Sequence, residues 1–443
     1  MARSARLLLV PFLLTVTLDQ RSSGKTPSET AGNSSASFDG VRVTGLRFQA
    51  EGVNGQGAPQ SGVSRPAAAA PPPQLGRPPS AASAKLVMAK DLVYQGAFRL
   101  PMGAIGGSSF DYGGTALAFN PVRGSLFMVG HAWQQFVAEV TVPTIRGGAG
   151  WSDLPFATVL QPFTDATEGL MKNVSANPGD SFQVGGLLAY KDRLYLSVYV
   201  YYDASGSQKL SHFVSGLDLS VSGDVRGPYQ VGTLGAGFVS GYFGLVPSGW
   251  QEALGGPVLN GNCCLSIISR TSYGPAVFAI DPAQLGSTPA KAVPLVYYTD
   301  SHPLGPWGGD SVVFNGSTNV DGIVFPEGTR SVLFFGRQGL GPWCYGDGPA
   351  CNDPTSPAKG GHGYPYAYYV WAYDATDLAA VKSGKRKPWD VKPYATWKLD
   401  LPFAGFDVGI KGVAYDPATG RIFVSQYRSD GDNPLIHILT VQP

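Results

Sequence analysis

The sequence predicts an all-β chain folded as a five-bladed β-propeller of four-stranded antiparallel blades, with an N-terminal strand completing the last blade. Three observations predict it. After Leu92 one four-strand pattern recurs five times, each copy contains a Gly-led apolar strand, and the strands left over at the two ends complement each other.

The second strand of each unit is the clearest: SLFMVGH (Ser125 to His131), RLYLSVY (Arg193 to Tyr199), CLSIISR (Cys264 to Arg270), SVLFFGR (Ser331 to Arg337) and RIFVSQY (Arg421 to Tyr427). All five have the apolar, β-rich composition of buried strands. The matched apolar positions 126, 194, 265, 332 and 422 lie 68, 71, 67 and 90 residues apart, so the fourth unit carries an insertion. Upstream stand the inner strands GGTALAFNPVRG, GGLLAYKD, EALGGPVLNGN, DGIVFPEGT and IKGVAYDPATG, in which NPVRG, PEGT and DPATG are turn chemistry. Third strands follow: FVAEVTVP, FVSGLDLS, AVFAIDP, YYVWAYDATD and LIHILTV.

ATVLQPF, PYQVGTL, PLVYYTD and PYATWKL supply four outer strands. The fifth is LVYQGAF (Leu92 to Phe98), which precedes the first unit, while the last unit reaches Pro443 without one. Strand exchange of this kind closes a ring and hides its edges. A stacked β-sandwich also shows short alternating strands, but five copies of one unit favour radial repetition.

The propeller is assigned to residues 85–443. Residues 1–18 read as an export signal, with Arg3 and Arg6 ahead of the apolar run Leu7 to Leu18, which is too short for stable membrane insertion. Residues 19–84 read as a disordered Ser/Gly/Pro-rich spacer in which only Phe38 to Phe48 has strand character. A secreted or periplasmic location follows. With a net charge of +1 and a single basic run, Lys382 to Lys392, the chain lacks the concentrated cationic surface that nucleic acid requires. In an exported chain Cys344 and Cys351, which bracket a Gly/Pro loop, are expected to form a disulfide rather than a metal site. Cys263 and Cys264 are adjacent at a strand start, and the sequence names no cofactor.

Strand alternation puts two sets of residues on one rim: those just before each inner strand and those just after each second strand. The first set holds Asp111, Tyr112, Asp180, Gln183, Trp250, Gln251, Glu252, Asp310, Asp321, Asp407 and Lys411. The second holds His131, Trp133, Tyr201, Tyr202, Arg270, Arg337 and Arg428. An aromatic ring of mixed charge suits a carbohydrate, whose apolar faces stack on aromatics while its hydroxyls take polar partners. On these residues Tyr112, His131, Trp133, Trp250, Arg270, Asp321, Arg337 and Lys411 are expected to bind it.

With an acidic residue ahead of each of its first three inner strands, the chain resembles the five-bladed glycoside hydrolases of the arabinanase and invertase clans. That resemblance implies hydrolysis, with Asp111 as base or nucleophile, Asp180 as orienting carboxylate and Glu252 as general acid. Two other readings remain. His131, Tyr112, Arg270 and Arg337 are the residue types of a lyase acting by β-elimination on a uronate polymer, and a propeller can equally be a non-catalytic binding scaffold. Asp beside Gly also commonly caps a turn.

Overall fold

The computed structural model describes residues 84–145, 148, 150–262, 268–309, 311–405 and 408–442. The segments assigned to the export signal and most of the spacer, the Phe38 to Phe48 strand, Cys263, Cys264, Asp310 and Asp407 lie outside the described residues.

Strand β1 (Leu92–Phe98) precedes the first sheet, which is built from β2 (Leu117–Asn120), β3 (Ser125–Val129), β4 (Val137–Thr141) and β5 (Val159–Thr164). The second sheet holds β6 (Phe182–Tyr190), β7 (Arg193–Val200), β8 (Leu210–Gly216) and β9 (Arg226–Gln230). The third holds β10 (Phe243–Leu245), β11 (Val258–Gly261), β12 (Val277–Ile280) and β13 (Ala292–Val296). In the fourth, β14 (Asn319–Val324) and β15 (Ser331–Gly339) are followed by a hairpin of β16 (Cys344–Gly346) and β17 (Gly360–His362), then by β18 (Tyr366–Asp374) and β19 (Ala395–Lys398). The fifth holds β20 (Ile410–Asp416), β21 (Arg421–Asp430) and β22 (Asn433–Val441).

Each sheet runs antiparallel in chain order from inner to outer strand. On the fifth sheet the outermost position is taken by β1, with Leu92 opposite Val441 and Phe98 opposite Ile436. The inner strands β2, β6, β10, β14 and β20 touch in succession, and β20 returns to β2. Five blades thus surround one axis.

Apolar side chains fill every seam between neighbouring sheets. Phe127 shares a cluster with Leu196 across the first seam, Tyr195 lies in one with Phe278, and Val277 in one with Phe334 and Trp371. Leu333 with Ile422, and Phe423 with Leu126, complete the circle. Near the axis the backbones approach closely. A Cβ on Gly186 would stand 2.2 Å from the Gly241 carbonyl oxygen, and one on Gly322 would stand 2.3 Å from a Val413 methyl. Only glycine fits there, which explains the Gly-led inner strands of the sequence.

The third blade departs from the expected alignment. Its second strand is Val258–Gly261 rather than Cys264 to Arg270, and Ile268–Arg270 forms a 3-10 turn. The inner strand is Phe243–Leu245, while Gln251–Leu254 is a short helix, α1. Gln, Glu, Ala and Leu are all strong helix formers, and Gly255 at φ 94° supplies the left-handed C-terminal cap. A second helix, α2 (Ala375–Lys382), starts where Asp374 accepts a bond from the Thr376 amide. The basic run at its end is a solvated turn, with Lys382, Lys385 and Lys387 exposed.

Candidate functional site

Antiparallel order places the approach to each inner strand and the connection from second to third strand at the same end of every sheet. At that end, on the ring axis, lies a cavity of about 590 Å³. Thr115, Gln183, Asp321 and Lys411 reach it from inner strands or their approaches, and Tyr199, Asn262 and Arg337 from the ends of second strands. Tyr201, Tyr202, Trp307 and Tyr345 stand around its mouth.

Asp321 and Lys411 owe their positions to one backbone device. The pairing register shifts between Val320 and Gly322 on β14, and between Ile410 and Gly412 on β20. The residue skipped in each case is Asp321 or Lys411. A bulge turns one side chain out of the strand's alternation, and here both point to the cavity. Blade two repeats the shift between Val184 and Gly186, where the skipped residue is Gly185.

Asp321 is only 4 % exposed. Burial raises its carboxyl pKa, and the charges of Lys411 and Arg337 pull the other way. Nearby, Tyr199 donates its hydroxyl proton to Gln183 Oε1 at 2.7 Å. Burial, reinforced by the charge of Asp321, pushes that phenol well above its ordinary value, so Tyr199 stays a donor. Among the described residues Asp321 is the single carboxylate lining the cavity, against Arg337, Lys359 and Lys411.

The insertion in the fourth blade overhangs this mouth and adds Tyr345, Lys359, Gly360 and Gly361 to its lining. Two devices hold it. Cys344 and Cys351 form the expected disulfide, and buried Asp353 gathers three side chains: Oδ2 accepts from His362 Nδ1 and from the Tyr366 hydroxyl, each at 2.7 Å, and Oδ1 accepts from Thr355. Burial alone would raise the Asp353 carboxyl, but these bonds outweigh it and hold the pKa well below the usual range. His362 Nε2 faces the carbonyls of Gly346 and Ala358. His362 is therefore a structural brace of the flap.

Of the residues expected on the rim, the structure brings Gln183, Tyr201, Tyr202, Asp321, Arg337 and Lys411 together at the cavity. Asp111 and Asp180 stand outside it and close local turns: Asp111 accepts from Ser109 Oγ at 2.9 Å, and Asp180 from Ser175 Oγ and Asn177 Nδ2. Glu252 sits on α1, between β10 and β11, so it belongs to the opposite end of the third sheet. The shifted strand alignment moved it there. Trp250, beside it, is a core residue at 6 % exposure that packs on Phe325 and donates to the Thr329 carbonyl.

Arg270 caps the β7–β8 loop by donating to the carbonyls of Asp203 and Ala204. Tyr112, His131 and Trp133 stand together at the cavity end but outside its lining. Trp307, Tyr345 and Lys359 lie outside the repeated unit, Trp307 in the connection before β14 and the other two in the fourth-blade insertion, so the repeat alone does not single them out. Among the described residues no group of three or more His, Cys, Asp or Glu side chains is placed to hold a metal ion, and no helix is long and apolar enough to cross a membrane.

No family model matches the sequence, and no curated protein does. Among solved structures, an arabinanase from Bacillus subtilis aligns at 10 % identity over 76 % of this chain and 96 % of its own, with a TM-score of 0.38. An endo-arabinanase from Bacillus licheniformis aligns at 12 % identity over 77 % and 95 %, with a TM-score of 0.39. At such values the likeness carries no residue-by-residue correspondence.

Proposed function

We propose that the central cavity binds carbohydrate. The observation that carries this reading is the composition of the cavity: aromatic faces at the mouth (Tyr201, Tyr202, Trp307, Tyr345) above a polar floor (Gln183, Asn319, Asp321, Arg337, Lys411). Sugar rings offer C–H faces to the first set and hydroxyls to the second. A volume of about 590 Å³ lies within the range of small-molecule sites.

The excess of cations in the described lining favours an acidic sugar, with the planar Arg337 fork meeting its carboxylate. That preference agrees with the uronate-polymer alternative. For catalysis, Asp321 is the cavity carboxyl whose burial suits it to carry a proton. The Asp111, Asp180 and Glu252 set is not gathered in the cavity, so two-carboxylate hydrolysis through those residues has no support from its lining. We read the chain as exported, on the apolar run Leu7 to Leu18 and the Cys344–Cys351 bridge.

A glycan array probed with the whole protein tests the reading. Retention of uronate-containing glycans that is lost in Arg337→Ala supports it; no retention of any glycan would end it, and retention of neutral glycans alone would end the acidic preference.

A further inference from the structure

We propose that the seam between the first and fifth blades carries a second sugar platform, formed by Trp133, His131, Tyr112 and Arg428, so that the ligand is a polysaccharide spanning cavity and rim. This inference rests on the carbohydrate reading of the cavity. Trp133 is 88 % exposed, the most solvent-open large aromatic among the described residues. Its indole is not isolated. The His131 ring meets it edge-on at 5.4 Å, the Tyr112 ring meets His131 at 5.6 Å, and the Arg428 guanidinium lies 5.1 Å over Tyr112.

Polar bonds fix the set. The Trp133 amide donates to His131 Nδ1 at 3.2 Å, which fixes the ring beside the indole. Arg428 donates twice to Asp432 Oδ1, at 3.1 and 2.9 Å, and the Tyr112 amide donates to the Asp432 carbonyl. The platform therefore offers one open aromatic face with the His131 ring beside it and a fixed Tyr112–Arg428 pair beyond, a run of rings on which sugar units can stack.

Two of the seven non-glycine residues with left-handed backbone among the described residues meet here. Tyr112 and Arg428, in contact across the seam, both adopt left-handed backbone, at φ 55° and 47°. Bulky side chains rarely do so, and a pair in mutual contact holds its rings in a fixed arrangement. Position completes the argument. Tyr112 lies on the β1–β2 connection, Trp133 on the β3–β4 connection and Arg428 beside the β21–β22 turn, all at the cavity end of their sheets. Lys411 of the cavity stacks on Tyr427, the chain neighbour of Arg428, at 5.6 Å. The two surfaces are thus joined.

Calorimetric titration of the whole protein with galacturonate chains of two and five units, and with xylose chains of the same lengths, tests the proposal. At least one series is expected to bind about tenfold more tightly at five units than at two, a gain of about 1.4 kcal/mol. Trp133→Ala should abolish that gain and leave the two-unit affinity unchanged. Equal affinity at both lengths, or a gain that survives Trp133→Ala, overturns the platform while sparing the cavity. Silence of both series at both lengths overturns both.

Discussion

The Arg337 guanidinium carbon lies 4.4 Å from the centroid of the Tyr366 ring. Because the Tyr366 hydroxyl donates to Asp353, which also holds His362, this stacking connects the cavity floor to the core of the overhanging flap. A cavity side chain and the flap share one support.

Two substitutions at Tyr366 therefore separate its roles. Tyr366→Phe keeps the ring under Arg337 but removes one bond to a buried carboxylate, and should destabilise the flap by about 1 to 2 kcal/mol with little change in affinity. Tyr366→Leu removes the ring as well, and should weaken binding of an acidic glycan several-fold by releasing Arg337. Limited proteolysis of the flap and calorimetry check the two effects.

Asp321→Asn should raise the melting temperature at pH 8. Burial raises the Asp321 pKa, so the charged form penalises the fold above that pKa, and the neutral amide is free of the penalty. The advantage should shrink as pH falls and the carboxyl takes up its proton. A thermal series from pH 4 to pH 8 reads the sign, and loss of any turnover in the same variant would place Asp321 in the chemistry.

His212 and His437 predict the acid limb of stability. Burial pushes their imidazoles down from 6.5, to about 4 and about 3, with Asn260 only partly offsetting the effect at His212. Between the unfolded and folded values the unfolded chain binds more protons. Stability is therefore full above pH 6.5 and falls below it, by up to about 1.4 kcal/mol per pH unit for each histidine. Urea midpoints from pH 7.5 to pH 4.5 should show that slope, and His437→Gln should flatten it.

Alanine at the axial glycines should cost more than alanine elsewhere on the inner strands. In Gly322→Ala the new methyl meets a Val413 methyl at 2.3 Å and the Val413 Cβ at 2.5 Å, so the side chain must turn and its strand yield, at the upper end of about 1 to 3 kcal/mol. In Gly186→Ala it meets a carbonyl of the next blade, so the backbone itself must move and the loss should be larger. Denaturant melts of the two variants rank them.

Four blades were legible because each second strand is a run of apolar β-formers, as in Arg193–Val200 and Ser331–Gly339. The third was not. Its inner strand has three residues, and the Gly-led apolar stretch expected to be the inner strand is the second strand, Val258–Gly261, with the short helix that carries Glu252 just ahead of it. One misplaced strand reverses which end of the sheet a residue occupies, and Glu252 and Trp250 were lost to the site in that way. Asp111 and Asp180 met the ordinary fate of Asp near Gly. The cavity nonetheless had a signal in the sequence: Val-Asp-Gly and Ile-Lys-Gly, repeated at matching points of two units, are the bulges that aim Asp321 and Lys411.

Main chain pressed against main chain around the axis also bears on how this molecule can change. With glycine already at the narrowest contacts, the bore can be neither tightened by a larger residue nor widened by a smaller one. New ligand preferences must then arise in the connections that crown the ring, where the disulfide-braced hairpin and the Trp133 turn can be exchanged while the blades beneath stay fixed.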